Sequence, residues 1–459
     1  MRRVLVITYY WPPTGGSGVQ RWLKFAKYLP SEGWQPVIYT PSNPEQLAVD
    51  DSLLAEVPAG AEVLKTRIVE PYALYRRLVG GGASRGAGVN PINSQRKSWK
   101  QRLMLWIRSN IFVPDPRSGW VRPSVRYLTL YLKEHPVDVI VTTGPPQSVH
   151  LIGRGLHRRL GVPWVADFRD PWTRMFYFEN LPLLPWVRRR HFRQEQSVLD
   201  EATAVIAVTP RVQADFASRT STPVHLITNG FDESDFAVEL TPRTDGKFRI
   251  VHTGLLASDG NPQELWKALA GLCSESSDFA QRLEIRLAGK VDPEIVDAIV
   301  EAGLGAQLKL LGYLPHCESV AELRQADIIL LPLRHGAEYS KVYPGKIFEC
   351  MAAVASPSAE TPTLAPAATI LGIGPADSAA AELLAATGTG VMMDWDADPS
   401  EFIRAVADSG AAASSFADAA MTPVAAFSRR ALTVRMAELL DSLIHCPADP
   451  RDVVQPLEI

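Results

Sequence analysis

Lys346 and Glu349 stand three positions apart in the run 340–351, SKVYPGKIFECM. On a helix that spacing puts both heads on one face. Pro344-Gly345 just before them leaves backbone N–H groups at the helix start, where phosphate binds readily. One cation for a diphosphate and one carboxylate for a ribose diol is the equipment of a nucleotide-sugar site. The same pair also suits an ordinary surface helix, so the rest of the chain has to decide. Tyr343 and Gly345 belong to the same turn. Arg334, at the end of the apolar run 327–333 (DIILLPL), could join Lys346 in neutralising a diphosphate.

Asp167, Arg169 and Asp170 sit together after another apolar run, in DFRDPW. Two carboxylates around a guanidinium can orient an acceptor or bind sugar hydroxyls. The alternative is that they brace a loop, with Asp170 capping a helix, but the strand end faces the expected cleft and favours function. Gln147 lies in GPPQS, a further loop at an apparent strand end. Gly16 and Gly18 fall in Gly16-x-Gly18-x-x-Arg21, which lacks the third glycine of a dinucleotide fingerprint. The next strand ends in Tyr39-Thr40-Pro41, with no carboxylate for a cofactor ribose, so nicotinamide and flavin are not expected. Glycine still lets backbone approach a substrate closely, and Gly254 could do the same later in the chain. Asp394, Asp396 and Asp398 (DWDAD) precede a helix and read as caps rather than a metal pair, so no metal is expected.

Elements that alternate twice must position these residues. Strands are expected at 4–8, 36–40, 137–142, 163–167, 204–208 and 225–228, with helices at 19–29 and 151–160. The polar stretch 239–247 (ELTPRTDGK) reads as a linker. The pattern then restarts, with strands at 248–252, 283–288, 308–311, 327–333, 367–373 and 390–393. Helices are expected at 264–273, 320–325, 378–387, 402–407 and 427–444. This is the signature of two doubly wound α/β domains, with ligands at the carboxyl ends of the strands in the cleft between them. The loops PPTGGSG, GPPQS, DFRDPW, TNGFD, TGLLAS and YPGK all fall at such ends.

A chain of 459 residues is too long for one core. Its net charge of −3 hides an asymmetry, because residues 67–133 hold 13 Lys/Arg and 2 Asp/Glu. Within that stretch Trp99, Leu103, Trp106 and Ile107 fall on one helical face, flanked by Lys97, Lys100, Arg102 and Arg108. Tryptophan with cations suits an anionic membrane surface, here through residues 96–126. No nucleic-acid motif accompanies the charge. The four cysteines are scattered, as in a cytosolic protein with reduced thiols. The start MRRVLVITYYWPP is too short in apolar residues for a signal peptide, and no run reaches the length of a membrane span.

The runs VPWVADFRDPW, GPPQSVH, ITNGFDESDF and YPGKIFE resemble the family-4 glycosyltransferases of the GT-B fold, over about residues 1–444. The resemblance implies two Rossmann-like domains facing across a cleft. The expected boundaries are 1–238 for an acceptor-binding domain, 239–247 for the linker and 248–425 for a nucleotide-sugar-binding domain. A helix at 426–446 would cross back to the first domain, and 447–459 would be a tail. It implies transfer with retention and without metal or cofactor. By position Glu349 matches the second glutamate of the family's E-x7-E motif, which holds the ribose, whereas Lys341 stands where the first belongs. Leu255, Leu256 and Asn261 replace the usual Arg and Lys after the first strand of the donor domain, and Arg169 stands where a histidine often follows. Residues 355–369 (ASPSAETPTLAPAAT) are longer than the family pattern requires.

The expected activity is therefore transfer of a sugar from a nucleotide-diphosphate sugar to a hydroxyl of a glycan or lipid-linked saccharide. Gly16, Gly18, Gly254, Arg334, Tyr343, Gly345, Lys346 and Glu349 would bind the donor. Gln147, Asp167 and Asp170 would bind the acceptor, and Asp167, Arg169, Asp170 and Lys346 would serve catalysis. Cell-envelope synthesis at the cytoplasmic face of the plasma membrane fits the basic helix. A nucleotide-sugar epimerase of the same architecture, or a silent partner with Lys341 in place of glutamate, are the alternatives.

Overall fold

The computed structural model describes residues 1–45, 49–69, 99–237, 240, 243–355, 368–409 and 423–445. The chain divides into two compact units, Met1–Thr228 with Leu432–Ile459, and Asn229–Ala431.

The first unit holds seven parallel strands: β1 (Arg2–Ile7), β2 (Trp34–Pro41), β3 (Glu62–Thr66), β4 (Val139–Gly144), β5 (Trp164–Phe168), β6 (Ala204–Ala207) and β7 (Val224–Leu226). Their order is β3-β2-β1-β4-β5-β6-β7. β1 is an unbroken apolar run at its centre because both of its faces are covered. Leu5 and Ile7 join one core with Trp164 and Phe168, while Val4 and Val6 join another with Trp22 and Phe25. The second core also takes Leu432, Met436 and Leu440 of the C-terminal helix Arg429–His445. Asp441 fixes that helix by accepting from Trp34 Nε1 at 2.8 Å and pairing with Arg2 at 2.6 Å.

The second unit holds six parallel strands: β8 (Phe248–Thr253), β9 (Leu283–Ala288), β10 (Leu308–Gly312), β11 (Ile328–Pro332), β12 (Thr369–Ile373) and β13 (Gly390–Met393), in the order β10-β9-β8-β11-β12-β13. Ile250 and Ile328 face one core, Val251 and Ile329 the other. Side-chain caps start several helices. Thr209 accepts from Val212 N–H and Ser378 from Ala381 N–H, both at 3.2 Å.

In each sheet the strand order reverses once, between β1 and β4 and between β8 and β11. Such switch points are where open α/β sheets leave a crevice at the strand ends. The loops after β1, β4, β8 and β11 carry most of the residues singled out by sequence.

Among the described residues several elements escape a reading of hydrophobic periodicity, helix Val121–Glu134 among them. β3 (EVLKT) is an edge strand and is short of apolar residues. Helix Pro185–Glu201 turns Val187, His191, Glu195, Val198 and Leu199 inward, so two of its core positions are polar. Helix Pro293–Glu301 is a single short crossover. The unit boundary also lies earlier than the polar stretch 239–247. Phe231 and Phe236 already pack with Val251 and Phe348, and apolar burial outranks loop composition as a marker. Residues 356–367 and 447–459 lie outside the described residues.

Candidate functional site

At the switch point of the first unit, Asp167 near the end of β5 meets Arg21 of helix Ser17–Tyr28. Arg21 Nε and Nη2 reach the two Asp167 oxygens at 3.0 and 2.9 Å. Trp22 Nε1 and Thr143 Oγ1 add bonds of 2.7 and 2.9 Å to Oδ2. Burial alone would raise the Asp167 pKa, but the Arg21 charge and these bonds take it below the ordinary value. Asp167 is wholly buried and its acceptor capacity is used. In this position its carboxylate braces the first helix against β4 and β5.

Arg169 is likewise engaged by protein groups. Its Nη1 donates to Gly18 O at 2.6 Å, its Nη2 to Pro145 O and its Nε to Gly144 O at 3.3 Å. One planar guanidinium thus ties the loop after β1 to the loop after β4. The following Trp172-Thr173 turn is held by Glu195, whose Oε1 accepts both backbone N–H groups at 3.1 Å. Sequence gave no sign of Glu195, because a carboxylate on a helix reads as solvent-facing until its partners are known.

Asp170 is the carboxylate left over. It is half-buried, has no hydrogen bond among the described residues and caps no helix. Burial raises its pKa, with Arg169 opposing. Gln147 is 6% exposed, and neither atom of its amide has a partner among the described residues. His150, which sequence passed over, is buried beside them. Its Nδ1 lies 2.9 Å from Thr142 Oγ1 and its Nε2 is unpartnered. Burial pushes its pKa down to about 3, so the imidazole stays neutral. Gly16 adopts φ +97° with open space where a Cβ would stand, whereas Tyr10 and Arg169 cover Gly18. These groups can accept and orient a hydroxyl.

At the switch point of the second unit, Lys346 and Glu349 sit head to head, Nζ to Oε2 at 2.7 Å. Ile347 N–H bonds to Pro344 O at 3.1 Å, so the Pro-Gly turn does open the helix Ile347–Ala355. His316 lies near enough for both charges to act on it, and its Nε2 is 3.2 Å from Asp235 Oδ2. That hydrogen bond raises the His316 pKa, burial opposes it, Glu349 adds to the rise and Lys346 works against it. His316 and Asp235 were not singled out by sequence, since they lie 81 positions apart.

Arg334 has a partner of its own in the structure. Its Nε is 2.8 Å from each Asp259 oxygen, so it joins the loop after β11 to the loop after β8. His335 N–H also bonds to Asp259 O at 2.9 Å. This ion pair clamps the two loops together. Tyr343 packs edge-on against Phe348 at 5.6 Å and belongs to the rim of the core. Gly254 has φ +130°, and a Cβ on Gly289 would come 2.1 Å from its carbonyl oxygen. Two strand-end loops therefore touch backbone to backbone, which requires glycine.

Among the described residues no three His, Cys, Asp or Glu side chains gather as a metal site. Asp398 Oδ1 accepts from Ser400 N–H at 2.9 Å as a cap, and Asp394 Oδ1 from Ala376 N–H at 3.0 Å. Trp99, Leu103 and Trp106 are exposed on helix Trp99–Ile111. Residues 96–98 lie outside the described residues. Among the described residues no helix is long and apolar enough to cross a membrane.

Among solved structures, the chain is similar to sucrose-phosphate synthase from Thermosynechococcus elongatus, with 12% identity, TM-score 0.53 and coverage of 96% of this chain and 99% of that one. A glycosyltransferase from Rickettsia africae ESF-5 gives 12% identity, TM-score 0.56 and 97% and 99% coverage. The UDP-GlcNAc 2-epimerase from Methanocaldococcus jannaschii gives 10%, 0.50, and 96% and 99%. At such identities the likeness speaks for the fold alone. No curated protein matches the chain. Residues 16–235 match the family described as Glycosyltransferase Family 4, and that match, with two Rossmann-like domains of the GT-B fold, supports a glycosyltransferase.

Proposed function

We propose that the protein is a retaining glycosyltransferase that moves a sugar from a nucleotide-diphosphate donor to a hydroxyl of a glycan or lipid-linked acceptor, without metal or cofactor. The observation that carries this reading is the Lys346–Glu349 pair, 2.7 Å apart at the opening of a nine-residue helix, in a chain whose residues 16–235 match a glycosyltransferase family.

In this mechanism the second unit binds the donor and the first the acceptor. Glu349 exchanges Lys346 for the ribose diol. Lys346 and the N–H groups of its helix then face the diphosphate, with Gly254 allowing close approach. Cleavage of the bond from the anomeric carbon to the diphosphate oxygen leaves an oxocarbenium-like sugar and negative charge on the leaving group, which Lys346 stabilises. The acceptor hydroxyl attacks from the same face and gives its proton to the departing diphosphate oxygen. Asp170 and Gln147 hold that hydroxyl, and Arg169 and Asp167 keep their loops in place. The reading extends to cell-envelope polysaccharide or glycolipid synthesis, with a cytoplasmic protein bound to an anionic membrane through residues 96–126.

The test has two arms. A nucleotide-sugar that binds raises apparent stability by mass action, so a thermal-shift screen identifies the donor. That donor is then incubated with and without acceptor saccharides. A transferase makes product only with acceptor. A new nucleotide-sugar made without one identifies an epimerase, and no binding by any nucleoside diphosphate identifies a silent partner.

A further inference from the structure

Two helices of the first unit carry exposed tryptophans, and one asparagine joins them. Trp99 is 70% and Trp106 40% exposed on helix Trp99–Ile111, and Trp186 is 65% exposed on helix Pro185–Glu201. Asn110 Nδ2 donates to Pro182 O, and its Oδ1 accepts from Leu184 N–H, both at 2.8 Å. Trp106 is one turn before Asn110, and Trp186 is two residues after Leu184. An indole thus stands on either side of the junction.

The two helical segments nearest it are basic. Residues 185–194 (PWVRRRHFRQ) hold four arginines and no acid, and residues 99–111 hold three Lys/Arg and no acid. Arg189, Arg190 and Arg193 follow Trp186 at the spacings that share its helical face, and all three are exposed. Of the four arginines only Arg188 meets a carboxylate among the described residues, Glu179 at 3.9 Å. Leu103, Ile111 and Phe192 are also exposed. Exposed aliphatic side chains sink into an acyl boundary, with indoles at headgroup level and arginines on anionic headgroups.

We propose that helix Pro185–Glu201 docks on an anionic lipid surface together with helix Trp99–Ile111, with Trp186 and Arg189, Arg190 and Arg193 as its contacts. This adds a second arm to the basic segment and does not depend on the transfer chemistry.

Vesicle flotation of the full chain, with no sugar nucleotide present, tests it. Wild-type protein is expected to float with phosphatidylcholine vesicles that contain about a third phosphatidylglycerol, and not with phosphatidylcholine alone. The triple variant Trp186→Ser, Arg189→Glu, Arg190→Glu should lower the bound fraction by at least about tenfold at unchanged Tm. If that variant does not fold, Arg193→Glu alone should still reduce flotation several-fold. Equal flotation of variant and wild type overturns the proposal. So does equal binding to neutral vesicles, or binding of single-stranded RNA by a protein that ignores anionic vesicles. Flotation by a protein that proves to have no transferase activity removes the function proposed above and leaves the docking intact.

Discussion

Arg21 grips both oxygens of Asp167 from 146 positions away, at 3.0 and 2.9 Å, and neither side chain is more than 1% exposed. Arg21 also donates to the carbonyls of Thr228 and Ile227, at 2.7 and 2.9 Å, so one guanidinium joins the first helix, β5 and the chain just before the unit boundary. The pair organises the floor beneath the loops that carry Asp170 and Gln147.

Removing one partner leaves a buried charge uncompensated. Asp167→Ala or Arg21→Ala should destabilise the first unit by about 3–5 kcal/mol, read by urea denaturation. The pH dependence follows from the depressed Asp167 pKa. Its contribution is complete above the ordinary carboxylate value of about 4 and is lost as pH falls through the lower folded value. A variant with the same stability as wild type at pH 7 would remove the pair from the fold's support.

Lys346→Ala should lower turnover on the order of 100-fold, since a preorganised donor aimed at developing charge is commonly worth about 3–4 kcal/mol. Glu349→Gln should act on the other side of the diphosphate and raise the donor KM by roughly tenfold or more. Steady-state kinetics with the identified donor separate the two. An unchanged kcat for Lys346→Ala would exclude it from charge stabilisation.

Asp170→Asn should reduce kcat with acceptor while donor affinity, read by calorimetry with the nucleoside diphosphate, stays constant. Because burial raises the Asp170 pKa, its protonation should place an acid limb in the kcat/KM profile above the ordinary value of about 4. The asparagine variant should lack that limb. Persistence of the limb would assign it to another group.

His150, with a folded pKa of about 3, should show an imidazole that remains neutral at pH 5 by NMR. In the unfolded chain it binds a proton below about 6.5. Stability should therefore fall as pH drops from about 6.5 toward 3, because the unfolded state takes up the proton that the folded state refuses. His191, lowered to about 4 by burial, adds in the same direction. A His150 resonance titrating near 6.5 in the folded protein would refute its burial.

Much of this molecule was legible along the chain. The alternation of strand and helix is written in local periodicities, so β8, β9, β11 and β13 fall within a residue or two of expectation. The spacing of Lys346 and Glu349 likewise fixes one shared helical face, because helical geometry leaves no other choice. Helix Pro185–Glu201 did not show itself, because His191 and Glu195 occupy core positions that a periodicity count takes for solvent.

The roles inside DFRD were not written there. Three charged side chains in four positions look equivalent in sequence, yet Asp167 is spent on Arg21, Arg169 on three carbonyls, and Asp170 alone stays unbonded. Likewise nothing local to Arg334 announces its pairing with Asp259, 75 positions away. The sequence by itself determined which elements form and which loops fall at strand ends, because those follow from neighbours a few residues apart. Only the tertiary structure decided which partner each charge meets. A charge is committed by whatever partner folding brings within about 3 Å, and no local pattern records that partner.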